Sequence, residues 1–95
     1  MQNNIFVKSE GIVEKRLGEE LILVPLSDDI AKMSEVFTLN EVGAFIYNNL
    51  NGENTLSSVV EIVVNNFDID KETAIHDVEA FIQVALEKKV IENKD

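Results

Sequence analysis

Residues 36–47 read VFTLNEVGAFIY, and the pattern of apolar residues changes within this stretch. Val36 to Leu39 is a short run of β-branched, aromatic and aliphatic residues, which is typical of a strand. Asn40 is a favourable helix N-cap, and Glu41 would lie near the positive end of the helix dipole. The change from strand periodicity to helix periodicity at Asn40 predicts a short strand followed directly by a helix.

Two other β-prone runs lie upstream, at residues 12–17 and 20–26. Gly18 and Glu19 separate them, and glycine supplies the positive φ that a two-residue hairpin turn requires. Pro25 cannot donate a hydrogen bond to a sheet, so it favours an edge position or the end of the second strand. These residues predict an antiparallel hairpin.

The segments that flank the hairpin carry weaker signals. Residues 1–10 contain one short apolar group, Ile5 to Val7, and we expect this end of the chain to be flexible or loosely docked. Between the hairpin and the next strand, Ser27 to Asp29 is typical of a turn, and residues 30–34 are expected to form a short irregular or single-turn connection.

Three helices are predicted after Asn40. The first covers about residues 41–50, the second begins after the N-cap Thr55, and the third covers about residues 71–89 after the N-cap Asp70. The first is expected to end at a left-handed Asn-Gly pair, residues 51–52. Val90 and Ile91 can then fold back on the core. The order predicts one α+β domain over residues 11–92, with a hairpin or three-stranded sheet followed by a winged helix-turn-helix-like set of three helices.

Composition and charge narrow the range of functions. The chain has 95 residues, of which 45% are hydrophobic and 27% charged, as expected of an ordinary globular domain. Its formal charge of −10 opposes binding to nucleic acid and to anionic membranes. The chain has no cysteine, no apparent signal peptide and no apolar run of the roughly 20 residues that span a bilayer, so we expect a cytoplasmic protein.

The residues that could support catalysis are few. His76 is the only histidine, and helical phase places it away from the apolar face of the third helix. Asp68, Asp70 and Glu72 imitate part of a calcium loop, but Thr73 stands where that loop requires glycine, and helical periodicity runs through it. We expect no enzyme activity, no metal and no cofactor.

Three motifs resemble a known family. They are LNEVGA at residues 39–44, LNG at residues 50–52 followed by a helix that Thr55 begins, and Asp77-Val78 ahead of Phe81-Ile82. Together, over about residues 11–92, they closely resemble the PqqD family. Tyr47 stands where that family often has Trp, and Asn51 where it often has Asp.

The resemblance implies a RiPP recognition element with a winged-helix-like fold. Such a domain has no catalytic activity; it binds the leader segment of a ribosomally made precursor peptide and presents it to a modifying enzyme. In pyrroloquinoline quinone (PQQ) biosynthesis that enzyme is a radical SAM protein, whereas many relatives belong to other peptide-modification clusters. We expect a monomer in the functional complex, with a weak homodimer as the alternative in isolation.

The residues themselves suggest how a peptide would bind. A short third strand at a sheet edge can accept an extended peptide by strand addition. The apolar face of the third helix is wider than one core stripe requires, so its border could line a groove beside that strand. The candidate peptide-binding residues are Val36, Phe37, Thr38, Leu39, Val78, Phe81 and Val84. Plain core packing is the alternative for the same residues.

Two other functions stay open at this level. A winged-helix domain can regulate transcription by binding nucleic acid, although the charge of the third helix, with Glu72, Asp77, Glu79 and Glu87, opposes it. A structural protein–protein interaction module is the other alternative.

Overall fold

A computed structural model of the chain describes residues 3–26 and 36–94. The strands are β1 (Ile5–Lys8), β2 (Ile12–Leu17), β3 (Glu20–Pro25), β4 (Phe37–Leu39), β5 (Asn51–Thr55) and β6 (Ile91–Asn93), and the helices are α1 (Glu41–Asn48), α2 (Leu56–Phe67) and α3 (Lys71–Glu87). The turn and connection predicted over residues 27–34 lie outside the described residues. The predicted α+β class, with a three-stranded antiparallel sheet followed by three helices, is confirmed.

The predicted hairpin forms the first sheet together with β4. The sheet order is β2-β3-β4, and Leu17 pairs with Glu20 across the turn, where Gly18 has a φ of 63°. β4 is shorter than the predicted run because Val36 precedes the strand. β4 pairs antiparallel with β3 and lies at the edge of the sheet.

The N-terminal segment is not loosely docked, contrary to our expectation. β1 is the central strand of a second antiparallel sheet of order β5-β1-β6, and Phe6 is only 2% exposed. Its partners lie far along the chain, since Ile5 pairs with Thr55 and Phe6 pairs with Asn93. Ile5 to Val7 has the residue types of a strand, but nothing in the local sequence identifies partners this distant, so the sequence pattern missed the sheet.

The helix caps follow the predicted chemistry. The Asn40 Oδ1 accepts a hydrogen bond from the Gly43 amide at 2.8 Å, and Thr55 and Asp70 cap α2 and α3 in the same way. At Asp70, hydrogen bonds from the Thr73 hydroxyl and amide hold the pKa of the carboxyl below its usual value. These side chains satisfy amides that the first helical turn leaves without partners.

The end of α1 differs from the prediction. The helix stops at Asn48, and residues 51–52 belong to β5, where Gly52 has a φ of 81°. β5 reads NGENT, a poor strand sequence, so its conformation depends on pairing with β1 rather than on local propensity. Val90 and Ile91 fold back on the core as predicted, and both are buried.

One hydrophobic core draws side chains from both sheets and all three helices. β3 contributes Leu21 and Leu23, whereas β2 is mostly exposed, with Leu17 52% exposed. The first sheet therefore buries one face against the helices and leaves much of β2 in solvent.

The burial of Phe6 generates a stability prediction. Phe6→Ala should lower the free energy of unfolding by about 3 kcal/mol, because it removes a fully packed aromatic ring from the core. Leu17→Ala, at an exposed position of β2, should change it by less than about 0.5 kcal/mol. Urea unfolding followed by circular dichroism measures both. Equal effects of the two substitutions would contradict the docking of β1.

Candidate functional site

A groove of about 500 Å³ lies between three elements, which are β4, the first two turns of α1 and the middle of α3. Its lining is mainly apolar. The residues that line it are Phe37, Thr38, Leu39, Asn40, Val42, Gly43, Ile46, His76, Asp77, Ala80, Phe81 and Val84. The groove therefore lies along a sheet edge and the partly exposed side of the longest helix.

The structure brings five of the seven predicted peptide-binding residues to this groove: Phe37, Thr38, Leu39, Phe81 and Val84. Val36 precedes β4 and lies outside the lining, with 41% of its surface exposed. Val78, the other predicted residue outside the lining, is fully buried in the core.

Two stacked aromatic rings join the strand to the helix. The Phe37 and Phe81 ring centroids are 6.3 Å apart and the rings are inclined by 17°. The Nζ atom of Lys88, just after α3, lies 5.5 Å from the centroid of the Phe37 ring. Phe37 therefore lies close to both an aromatic ring of α3 and a cation just after α3.

β4 presents an edge beside these rings. It pairs with β3 through Phe37 and Leu39, which lie opposite Leu23 and Leu21, and no other described strand pairs with it. Phe37 is partly buried, Thr38 exposed and Leu39 buried, as expected where successive side chains of a strand alternate between its two faces. Backbone groups at this edge of the described structure are available to an added strand.

The start of α1 forms one wall that the sequence analysis missed. Val42, Gly43 and Ile46 of α1 line the groove, and none of them is among the predicted peptide-binding residues. A Cβ atom added at Gly43 would lie 3.6 Å from Cε1 of Phe81, an ordinary van der Waals distance, so the first turn of α1 packs beside the aromatic pair. The motif LNEVGA contains the signal, because a small residue in a first helical turn often marks a close approach.

The groove carries little charge. Among the described lining residues, Asp77 is the one with a carboxylate, and its Oδ1 lies 3.9 Å from Nδ1 of His76. His76 belongs to the lining although its side chain is 85% exposed, so the sequence analysis placed it correctly in solvent but did not place it at the groove.

Other regions of the described structure are weaker candidates for a functional site. A second cavity of about 230 Å³ lies between the hairpin turn and the ends of α1 and α2, and Arg16, Glu19 and Glu41 are among its lining residues. Within residues 3–26 and 36–94, no group of three or more His, Cys, Asp or Glu side chains could hold a metal ion. None of the described helices is both long enough and apolar enough to cross a membrane.

One buried polar atom lies away from the groove. The Tyr47 side chain of α1 is fully buried, and its hydroxyl has no hydrogen-bond partner among the described residues. Lys8 lies 4.7 Å from the ring centroid and also forms a 2.9 Å ion pair with Glu14. Burial, and then the charge of Glu14, raise the pKa of Tyr47 to about 12.

Comparisons with known proteins agree on a family and a fold. The family described as coenzyme PQQ synthesis protein D (PqqD) matches residues 20–91. Among solved structures, one described as TbiB1 in complex with the TbiA(beta) leader peptide matches with a TM-score of 0.74 at 21% identity, covering 90% of this chain and 94% of that one. At this identity the likeness concerns the fold. No curated protein matches the chain.

The raised pKa of Tyr47 predicts how stability depends on pH. Because the pKa rises from 10.0 to about 12 on folding, Tyr47 should not make stability depend on pH below pH 10, and the free energy of unfolding should fall as the pH rises from 10 toward 12, where the unfolded chain ionises first. Tyr47→Phe should remove this pH dependence and, since the hydroxyl is unpaired, raise the free energy of unfolding by up to about 1 kcal/mol at neutral pH. Urea unfolding of both proteins across this pH range tests the prediction. An identical loss of stability in both would contradict it.

Proposed function

The chain belongs to the PqqD family, and on this premise we propose that it is a non-catalytic RiPP recognition element that binds the leader segment of a precursor peptide. TbiB1, whose fold it shares, is seen in complex with a leader peptide. The observation that carries the proposal is the edge of β4 beside an apolar groove. A sheet edge supplies hydrogen bonds to any extended peptide, and the groove supplies contacts to particular side chains.

The proposed binding mode is strand addition to β4. In a paired strand, residues directly opposite each other point to the same face. Side chains opposite Phe37 and Leu39 would therefore point into the groove, toward Phe81 and the α1 wall, while the residue opposite Thr38 would point to solvent. Val36 would contribute through the backbone before β4, and Val78 would support Phe81 from the core.

The partners follow from the family. We propose that the bound leader is presented to a peptide-modifying enzyme in the cytoplasm, and a radical SAM protein is the candidate that the resemblance to PQQ biosynthesis implies. A monomer fits this role, because pairing of two copies through β4 would occupy the edge that the leader requires. A weak homodimer in isolation would then compete with the peptide.

Two similarly exposed residues of α3 test the site. Val84 lines the groove and is 40% exposed, whereas Leu86 is 38% exposed and does not line it. Val84→Asp should weaken leader binding at least about tenfold, because the bound peptide would bury an unpaired charge. Leu86→Asp should leave the affinity within about twofold. Fluorescence anisotropy with a labelled leader, taken from a precursor encoded beside this chain, measures both.

The same leader allows the site to be mapped directly. Amide chemical-shift changes on titration should concentrate at β4, the start of α1 and residues 76–88. Changes confined to α2 and the β5-β1-β6 sheet would reject the proposed surface, as would equal affinities of the two folded Asp variants. Circular dichroism before titration shows whether each variant is folded.

The nucleic-acid alternative has its own test. With a net charge of −10, and with Glu72, Asp77, Glu79 and Glu87 on α3, the chain should not bind random duplex DNA even at low salt. A fluorescence titration at two salt concentrations measures this. Salt-sensitive micromolar binding would favour a winged-helix regulator over a peptide-binding domain.

A further inference from the structure

Asp77, in the groove lining, and Lys88, which lies beside the groove against Phe37, carry opposite charges. Asp77 lies in the lining near the N-terminal half of α3, and Lys88 lies after its last turn, over the Phe37 ring. Within residues 3–26 and 36–94, the remaining lining is apolar or neutral, apart from His76 beside Asp77. In a chain with a net charge of −10, a lysine held at one end of an apolar groove is a local exception to the surface as a whole.

The direction of β4 relates these charges to a bound strand. β4 begins at Phe37, beside Lys88, and its following residues lead away from Lys88 toward Asn40 and the N-terminus of α1. Phe81 stacks on Phe37 at the start of this path, and its Cε1 would lie 3.6 Å from a Cβ at Gly43, in the first turn of α1. β4 thus runs from the Lys88 end of the groove to the Asp77 end.

The distance between Asp77 and Lys88 determines how long a peptide segment must be to reach both. Asp77 and Lys88 are separated by about 16 Å along the helix axis, at a rise of about 1.5 Å per residue. An extended chain covers that distance in about five residues, at roughly 3.3 Å each. All pairings in both sheets of the described structure are antiparallel, which is also the more stable arrangement per residue. A strand antiparallel to β4 enters at Asp77 and leaves at Lys88.

We propose that the groove selects leader segments by the order of their charges: a Lys or Arg first, then two apolar residues separated by one position, then an Asp or Glu about five residues after the basic one. This inference rests on the proposed function. The basic residue pairs with Asp77, the apolar residues lie opposite Leu39 and Phe37, and the acidic residue meets Lys88. A segment with the same composition in reverse order places like charges together at both ends, which costs affinity.

A phage-displayed library of random dodecapeptides tests the order of charges and does not require the sequence of the natural leader. Selection on the unmodified protein should enrich basic–apolar–acidic segments. Selection on the double variant Asp77→Lys/Lys88→Glu should enrich acidic–apolar–basic segments, with the spacing of the apolar pair unchanged. Enrichment of the same order by both proteins, or of apolar segments with no charge order, would overturn the inference.

Single variants give the size of each contribution. A fluorescent peptide chosen from the selection should bind about five- to tenfold more weakly to Asp77→Lys and to Lys88→Glu, as expected for a partly exposed ion pair replaced by a repulsion. Glu53→Lys, on β5, and Lys15→Glu, on β2, make the same changes in net charge at exposed positions outside the groove, and should leave the affinity within about twofold. Equal losses of affinity in these control variants would show that the effect comes from the net charge of the protein and not from the positions of Asp77 and Lys88.

The same experiment separates this inference from the proposed function. If no peptide is enriched, or if selected peptides shift amide signals away from β4 and α3, the proposed peptide-binding site itself is wrong. If selected peptides shift those signals but carry no charge order, the site stands and only the inferred order is rejected.

Discussion

The hydrogen bond from the Gly43 amide to the Asn40 side chain, 2.8 Å long, is the constraint on which the site depends. It starts α1 immediately after β4, so the strand ends after three residues and its edge adjoins the first helical turn. A strand that continued past this point would carry Val42 and Gly43 away from α3. Because the helix begins here, Gly43 instead faces Phe81, and the sheet edge, α1 and α3 enclose one groove. By starting α1 directly after β4, the capping residue Asn40 places this edge strand along one wall of the groove.

Elements defined by local chemistry could be predicted from the sequence, and elements defined by distant partners could not. Gly18 marks the hairpin, and Asn40, Thr55 and Asp70 mark the helix starts, because each satisfies its requirement within about four residues. β1, β5 and β6 become strands only through one another, and β5 lacks strand propensity altogether. The residues of the site divide in the same way, into those that the local sequence predicts and those that depend on tertiary packing. Its strand and its α3 residues followed from periodicity, whereas the α1 wall and the exclusion of Val78 depend on how the elements pack.

An edge strand beside an apolar groove can bind a peptide, but it can also promote self-association of the protein. Unpaired backbone groups at an edge promote association between copies, and natural edges limit this with short strands and charge. β4 has only three residues, and the chain repels its own copies with a net charge of −10. Lys88 shields one side of the Phe37 ring without closing the groove. These features disfavour self-pairing through a long, flat interface while leaving the edge open to a short peptide.

The shortness of β4 also decides where binding energy must come from. Ordering about five peptide residues costs roughly 1–2 kcal/mol of backbone entropy each, whereas each hydrogen bond to the strand returns only about 0.5–1.5 kcal/mol net. Three strand residues cannot supply enough hydrogen bonds to offset that cost. Burial of apolar peptide side chains against Phe81 and the α1 wall must provide the surplus, at about 25 cal/mol per Å² of apolar surface. Backbone pairing with β4 therefore fixes the direction and register of the peptide, and the side chains around the groove determine which peptide binds.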